Sequence, residues 1–502
     1  MSSRLLFYVC AALLVTGCAG GSRRAEPTLA QENDPWFRSG EKTLAEIEAT
    51  RRIVGQAKNV ILFVGDGLDV ATVTAARIYE GQLRGEPGEE NVLSFERLPH
   101  RALLKTYNTN QQVADSAGAG TALLAGVKTK AGIVGLSEGV TRGDCASAAG
   151  REVSSLFEVA QKAGMATGVV TTARLTHATP AAAFGHTPER NWESDADMPS
   201  EAIEAGCVDL ARQLVDGEVG SKIGIALGGG RGYFLPDDAE GPEGVSGLRS
   251  DELDLIARWK QTHPDGHFLW NREQLLRLVP KKNEQVLGLF EADHMAFESD
   301  RDRAGEPSLT EMASAALDAL SKNDDGYVLL VEAGRIDHAH HYDNAYRALM
   351  GTVELAAAVQ LAMDRTDPDD TLIIVTSDHG HTMTIAGYPT RGNPILGKVV
   401  SNDASGQPET VPARALDGMP YTTLSYANGP SAARGMPRPD LTGFDTTTTN
   451  FQQPAQVPLS METHGGADVP SYARGPMAHL LTGTAEQSYV FNVILRAAGL
   501  AP

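Results

Sequence analysis

Positive charge is what this chain most lacks. Its 502 residues carry 43 Lys and Arg against 64 Asp and Glu, a formal net charge of -21. No basic field exists to neutralise a phosphate backbone, which excludes a nucleic-acid partner; an anion binds only where metals or a local Arg reverse the sign. Long apolar runs are scarce as well. The run 5–15, after Arg4, is too short to span a bilayer and reads as a targeting segment. Internal repeats are missing, and so is a P-loop: in Gly126-Val127-Lys128-Thr129 a Val stands where Gly and Lys must adjoin. Gly228-Gly229-Gly230-Arg231 follows an apolar run and reads as a turn. Hydrophobic residues make up 42%, enough for a large core. The length points to one large α/β domain with insertions, or to two domains.

Cysteine is limited to four. Val15-Thr16-Gly17-Cys18 has the form of a bacterial lipoprotein signal, cleaved before Cys18 and acylated on it. The alternative is an ordinary cleaved signal that takes Cys18 with it. On the first reading, 1–17 is the signal and 18–33 a small, polar tether. Either way the protein is exported, to the periplasm or, lipid-anchored, to the outer membrane surface. Cys10 leaves with the signal. Cys145 and Cys207 remain as a pair suited to a disulfide in an oxidising compartment, the alternative being two unrelated buried thiols.

What the chain does have is concentrated at 331–341, Val-Glu-Ala-Gly-Arg-Ile-Asp-His-Ala-His-His. Two carboxylates and three imidazoles follow an apolar run, a donor set suited to zinc, with harder ions as alternatives for the oxygens. The pattern recurs. The apolar runs 60–64, 168–172, 327–331 and 372–375 each read as a buried strand. They deliver Asp66, then His177 and Thr179, then Glu332 and Asp337, then Asp378 and His379. Helix caps explain one or two such residues, whereas four strands point to one metal cluster along one sheet edge. Ser116, in a small-residue stretch followed by an apolar run, reads as the opening of a helix, where N–H groups and the helix dipole favour an anion. Metals beside such a serine suit phosphoryl transfer through a covalent intermediate, with Arg190 a candidate clamp for phosphate oxygens. Further helices are expected over 40–52, 70–82, 307–320 and 344–363, and an irregular inserted lobe from 388 onward.

The chain resembles the alkaline phosphatase family, in its animal-type branch. The resemblance is carried by Phe-Val-Gly-Asp-Gly at 63–67, Val-Ala-Asp-Ser-Ala-Gly-Ala-Gly-Thr-Ala at 113–122 and Thr-His-Ala-Thr-Pro-Ala-Ala at 176–182. It continues through Arg-Asn-Trp-Glu-Ser-Asp-Ala-Asp at 190–197, the 331–341 stretch, Thr-Ser-Asp-His-Gly-His at 376–381 and Glu-Thr-His-Gly-Gly-Ala-Asp-Val at 462–469. It implies a three-layer α/β sandwich over 34–502, with a large, mostly parallel central sheet flanked by helices. It also implies an N-terminal arm helix within 34–55 and a crown-like lobe at about 391–430. The implied activity is hydrolysis of phosphate monoesters through a phosphoserine at Ser116, with two Zn2+ and one Mg2+ per subunit.

Residue by residue, the resemblance gives Asp66, Asp378 and His379 to the zinc beside the nucleophile. Asp337, His341 and His464 go to the second zinc, Asp66, Thr179 and Glu332 to magnesium, and Arg190 to the phosphate. His177 and His338 match histidines just outside the ligand shell; His340 receives no role. A Ca2+ site is implied at Glu243, the Phe290 carbonyl, Glu291 and Glu306, the last standing where the family usually has Asp. Cys145 and Cys207 fall where the family has a disulfide, and a homodimer is implied. Other readings are a phosphodiesterase on the same scaffold and a non-catalytic lipoprotein that binds metal or phosphate. A sulfatase would need Pro and Arg after its nucleophile, and Ser116-Ala-Gly-Ala-Gly has neither.

Overall fold

A computed structural model describes residues 29–501 apart from Glu243 and Met436. The signal segment, Cys18 and Glu243 therefore lie outside the described residues. The chain divides into two compact units, one ending at Arg51 and one beginning at Arg52. The first holds the helix Pro35–Glu48, which starts and stops earlier than the charge pattern of 40–52 suggests. Asp34 caps it, accepting the N–H of Trp36 at 2.8 Å, and Pro35 takes the first helical position, where a missing N–H is harmless.

The second unit is built on strands β1 (Asn59–Gly65), β2 (His100–Lys105), β3 (Ala166–Arg174), β4 (Ile225–Gly229) and β5 (His267–Leu269). They are followed by β6 (Val286–Leu289), β7 (Tyr327–Ala333), β8 (Thr371–Thr376), β9 (Gly380–His381) and β10 (Met383–Ile385). The last are β11 (Leu424–Gly429), β12 (Ala455–Pro458), β13 (His464–Gly465), β14 (Val469–Arg474) and β15 (Gly483–Glu486). Ten of them form one sheet in the order β15-β2-β14-β8-β1-β7-β3-β4-β6-β5. From β8 to β5 all neighbours are parallel, while β14 runs antiparallel to both β8 and β2.

The central strands are apolar on both faces because both faces are covered. Val60, Leu62 and Val64 of β1 enter one core with the helices Ser116–Ala125 and Tyr489–Ala498. Ile61 and Phe63 enter the other with Val70–Leu83, Leu309–Leu320 and Ala345–Arg365. Each fully buried Leu, Ile or Phe contributes on the order of 2 kcal/mol. The four strands that deliver candidate ligands, β8, β1, β7 and β3, are consecutive neighbours at the sheet centre. Ser377 ties two of their ends together: its hydroxyl donates to the Gly65 carbonyl at 2.7 Å and accepts the Leu68 N–H at 2.8 Å.

Two small sheets sit beyond the main one, β10-β11-β12 and β13-β9. Between β10 and β11 the chain is irregular, held by isolated bridges such as Lys398↔Thr422 and Arg414↔Pro420. Cys145 and Cys207 form a disulfide across 62 residues, with Cα atoms 5.9 Å apart. Closing a loop of that length is worth about 4 kcal/mol in the chain-entropy description. Cys145→Ala with Cys207→Ala is accordingly expected to lower the unfolding free energy by about 2–4 kcal/mol, read from denaturant melts. An unchanged midpoint would show that the loop is already restrained without the bond.

Candidate metal centre

Ser116 is the first residue of the helix Ser116–Ala125, and Asp115 caps that helix by accepting the Gly118 N–H at 3.1 Å. The capping work thus falls to Asp115, which leaves the Ser116 hydroxyl free to face His379, its Oγ 3.1 Å from Nε2. Glycines let other elements come close. A Cβ on Gly118 would stand 2.4 Å from the Asn108 side chain, and one on Gly120 only 3.3 Å from Ala182. The short helix Ala178–Ala181 carrying Thr179 therefore lies directly against the serine helix. The second carboxylate oxygen of Asp115 accepts from Gly132 N–H at 2.9 Å and from Arg190 at 3.2 Å. Burial pushes the Asp115 carboxyl up, but Arg190 and these backbone donors outweigh it and hold it below its usual range. Arg190 also reaches His177 Nε2 at 3.0 Å, so its guanidinium is braced from two sides.

Three ligand clusters surround this serine. At the ends of β1 and β8, His379 Nε2 lies 3.2 Å from Asp378 Oδ2 and 3.6 Å from Asp66 Oδ1. The turn is held from behind by Gln487, which donates to the carbonyls of Ser377 (3.1 Å) and Asp378 (2.7 Å). The second cluster comes from the helix Arg335–His341, where Asp337 and His341, four residues apart, share a face. His464 joins them because β13 pairs with β9, placing His464 opposite His381. His341 Nε2 is 3.3 Å from His464 Nε2 and 3.3 Å from Asp337 Oδ2, and His464 Nε2 is 3.4 Å from Asp337 Oδ1. Each Nδ1 faces a carbonyl, that of Glu462 for His341 (2.6 Å) and that of Ala114 for His464 (2.7 Å). With the ring N–H on Nδ1 donating to those carbonyls, both Nε2 atoms are left to converge as acceptors. In the third cluster, ligand atoms of Asp66, His177 and Glu332 lie within 4.8 Å of one another.

The donor sets fit cations. Ligands held about 2.0–2.1 Å from zinc at tetrahedral angles stand about 3.3 Å apart, which is the spacing of the second cluster. His341 Nε2 and His464 Nε2, 3.3 Å apart and each within 3.4 Å of an Asp337 oxygen, form a convergent donor set of a size a cation can occupy. Buried atoms without hydrogen-bond partners among the described residues crowd the same places: both Asp66 oxygens, Asp378 Oδ2, Glu332 Oε1, Thr179 Oγ1 and His177 Nδ1. Burial, then the charges of Asp378, Asp337 and Glu332, push the Asp66 carboxyl well above its ordinary range. Burial likewise lifts Glu332 to about 8, in the face of the Thr171 hydroxyl bonded to it.

Several participants carry no mark in the sequence reading. His381 bridges two carboxylates, with Nε2 2.7 Å from Asp337 Oδ1 and Nδ1 2.6 Å from Glu462 Oε2. Burial opposes its charge, but Glu462 and Asp337 outweigh burial and raise it to about 10, so both nitrogens donate. The signal was available: His381 lies two residues from His379, and Glu462 two from His464. His294 completes a group with His177 and His338, its ring centroid 4.2 Å from that of His338. His338 contacts Arg335 at 3.0 Å and is pushed down to about 3 by burial, hence neutral. Further off, Glu306 accepts the Ala296 N–H at 3.0 Å, and burial together with neighbouring Glu291 pushes it to about 8. Phe290 directly follows β6 and precedes Glu291.

A doubly covered parallel sheet with carboxylate–imidazole clusters gathered at a helix-opening serine defines an α/β metalloenzyme. The alkaline phosphatase family model matches residues 57–500. The chain is 46% identical over 484 residues to the tissue-nonspecific alkaline phosphatase isozyme of Gallus gallus, covering 94% of this chain and 91% of that protein. It is 44% identical over 480 residues to the Homo sapiens counterpart, covering 93% and 89%. Among solved structures, Thermus thermophilus alkaline phosphatase aligns at TM-score 0.62 and 25% identity over 92% of this chain and 95% of that one. Alkaline phosphatase from the Antarctic bacterium TAB5 aligns at 0.60 and 20%, over 89% and 100%. The chain belongs to the alkaline phosphatase family.

Proposed function

We propose that this protein hydrolyses phosphate monoesters to alcohol and inorganic phosphate through a phosphoserine at Ser116. The observation that carries the reading is the Ser116 hydroxyl at a helix N-terminus, 3.1 Å from a histidine of one ligand cluster and beside a braced Arg190. Asp66, Asp378 and His379 would hold one zinc, Asp337, His341 and His464 the other, and Asp66, Thr179 and Glu332 the magnesium, with His177 beside it. When bound, these ions supply Lewis acidity that neutralises phosphoryl oxygens and favours the serine alkoxide.

The protein groups do the rest. Ser116 gives up its proton to solvent as Oγ forms the bond to phosphorus and the bond to the ester oxygen breaks, and the departing alkoxide takes a proton from water. A water molecule then attacks the phosphoserine from the vacated side; the Oγ–phosphorus bond breaks, one proton of that water returns to Ser116 and hydrogen phosphate leaves. Arg190 donates in a fork to two non-reacting oxygens. Its orientation is fixed by Asp115, and His177, kept neutral by burial and by Arg190 itself, accepts from its other arm. Peptide N–H groups of the first helical turn face the same oxygens.

Arg190 and the ions held by the clusters would take the non-bridging oxygens of a monoester, and in a diester a second ester group would replace one of those oxygens. With zinc and magnesium supplied, p-nitrophenyl phosphate is expected to turn over at least about 100-fold faster than bis-p-nitrophenyl phosphate. Chelation should abolish both rates. A diester rate equal to the monoester rate would favour the phosphodiesterase alternative, and turnover that survives chelation would end the metal-dependent reading.

The same reading includes a homodimer embraced by the N-terminal arm, export, and a lipid anchor at Cys18. No helix among the described residues is long and apolar enough to cross a membrane. It also includes a calcium ion held by Glu291, Glu306, the Phe290 carbonyl and Glu243. The Glu306 carboxyl is raised from 4.5 to about 8. An acid with a raised folded-state pKa supports the fold fully below its unfolded value and loses that support as pH rises through the folded one. Calcium-free protein should therefore melt a few degrees lower at pH 9 than at pH 5, and millimolar calcium should recover most of the difference at pH 9. Equal calcium effects at both pH values would exclude the site.

A further inference from the structure

His340 sits within the ligand-bearing helix Arg335–His341, yet the mechanism above gives it nothing to do. Its side chain is fully buried and both ring nitrogens are held. Nδ1 is 2.8 Å from the Tyr426 hydroxyl and Nε2 is 3.1 Å from Thr72 Oγ1. An imidazole with one N–H donates at one nitrogen and accepts at the other, and each hydroxyl can take either part, so the chain is satisfied without a charge.

The three residues come from three elements. Tyr426 lies on β11 at the base of the irregular lobe, and Thr72 in the first turn of Val70–Leu83. Thr72 is itself fixed, its N–H donating to Asp69 Oδ1 at 2.7 Å. The other oxygen of Asp69 accepts the His381 N–H at 3.2 Å. The His340 ring lies on the His381 ring, with centroids 4.7 Å apart and planes 29° apart. Gly67 closes His381 off elsewhere, since a Cβ there would stand 2.4 Å from the ring. His381, so confined, presents Nε2 to Asp337 Oδ1 at 2.7 Å.

We infer that Tyr426 and His340 are positioning residues for the second zinc cluster. The tyrosine hydroxyl fixes the His340 ring, that ring fixes the plane of His381, and His381 fixes an oxygen of Asp337. None of the three touches substrate. The inference rests on the function proposed above and makes the base of the lobe part of the metal site's framework. Groups that orient metal ligands from outside the ligand shell typically change affinity by about 10- to 100-fold when removed.

The test compares the wild-type holoenzyme with Tyr426→Phe and Thr72→Val, which strip a different His340 nitrogen each. Zinc content after dialysis against graded zinc–chelator buffers is measured beside kcat and KM for p-nitrophenyl phosphate. The expected result is that Tyr426→Phe retains one zinc normally and holds the other about 10- to 100-fold more weakly. kcat should fall at low free zinc and recover with excess zinc, while KM stays nearly constant. A general loss of structure would not be repaired by zinc. If Tyr426→Phe does not fold, as judged by circular dichroism, Thr72→Val is read in its place by the same criteria. A wild-type zinc dependence in the folded variant overturns the inference, as does a kcat deficit that persists at saturating zinc with unaltered zinc content. Failure of the wild type to show zinc-dependent turnover would instead remove the functional reading beneath it.

Discussion

Ser116→Ala yields a folded, metal-loaded protein whose turnover of p-nitrophenyl phosphate falls by at least about 10³-fold. The magnitude follows from losing the group proposed to bond phosphorus, with only slow direct attack by water left. Retention of the fold follows from the local structure. The helix is capped by Asp115, and the helical backbone from Ser116 to Ala125 does not depend on the Ser116 hydroxyl. Among the described residues that hydroxyl makes one hydrogen-bond contact, 3.1 Å to His379, so its removal leaves a very small void. Catalysis and stability thus separate at this residue. Rapid quenching in acid should trap one phosphoryl group per wild-type subunit and none in the variant. An alanine variant within tenfold of wild type would mean that water, not serine, attacks first. Asp115→Ala is no substitute test, because it removes the cap, frees Arg190 and unpairs the Gly132 N–H together.

Much of this was legible in the chain because the sheet centre is written as continuous apolar runs. β1, β7 and β8 are buried along almost their whole length, and each ends beside or within a short polar motif. Ser116 was legible as a helix start for the same local reason: small residues open an apolar stretch. What escaped is what depends on distant pairing. Nothing near His464 states that it will lie opposite His381 in a two-residue ladder, and the ladder itself is too short to have a period. Glu332 reads as a residue past a strand, yet β7 runs on through Ala333 and keeps it buried inside the sheet. The stretch after it reads in the sequence as a cluster of metal donors with no secondary structure assigned to it. It is a helix, and only helical spacing puts Asp337 and His341 on one face. His381 and Glu462 were missed because their task, neutralising one another beside Asp337, is visible only when three segments meet.

Asp66→Asn should melt above wild type when both are metal-free and below it when both are metal-loaded. Asp66 stands where two of the clusters meet, and among the described residues neither of its oxygens has a hydrogen-bond donor. Without cations it is a buried carboxylate facing three others, and burial, Asp378, Asp337 and Glu332 all push its carboxyl up. Support from an acid of that kind is present below its unfolded pKa and lost as pH rises through the folded one, so metal-free wild type weakens toward alkaline pH. Asparagine keeps the shape and removes that charge. The metal-free variant is therefore expected to melt several degrees above metal-free wild type at pH 8. With zinc and magnesium the sign inverts, since the wild type gains binding free energy at two clusters and the variant at neither in full. Turnover of the loaded variant should fall by at least about 10³-fold, because both the nucleophile's cluster and its neighbour lose a shared ligand. Calorimetry with and without metals reads both signs in one experiment. A variant that melts below wild type in both states would show that Asp66 serves the fold through contacts of its own and is not held in place for a cation.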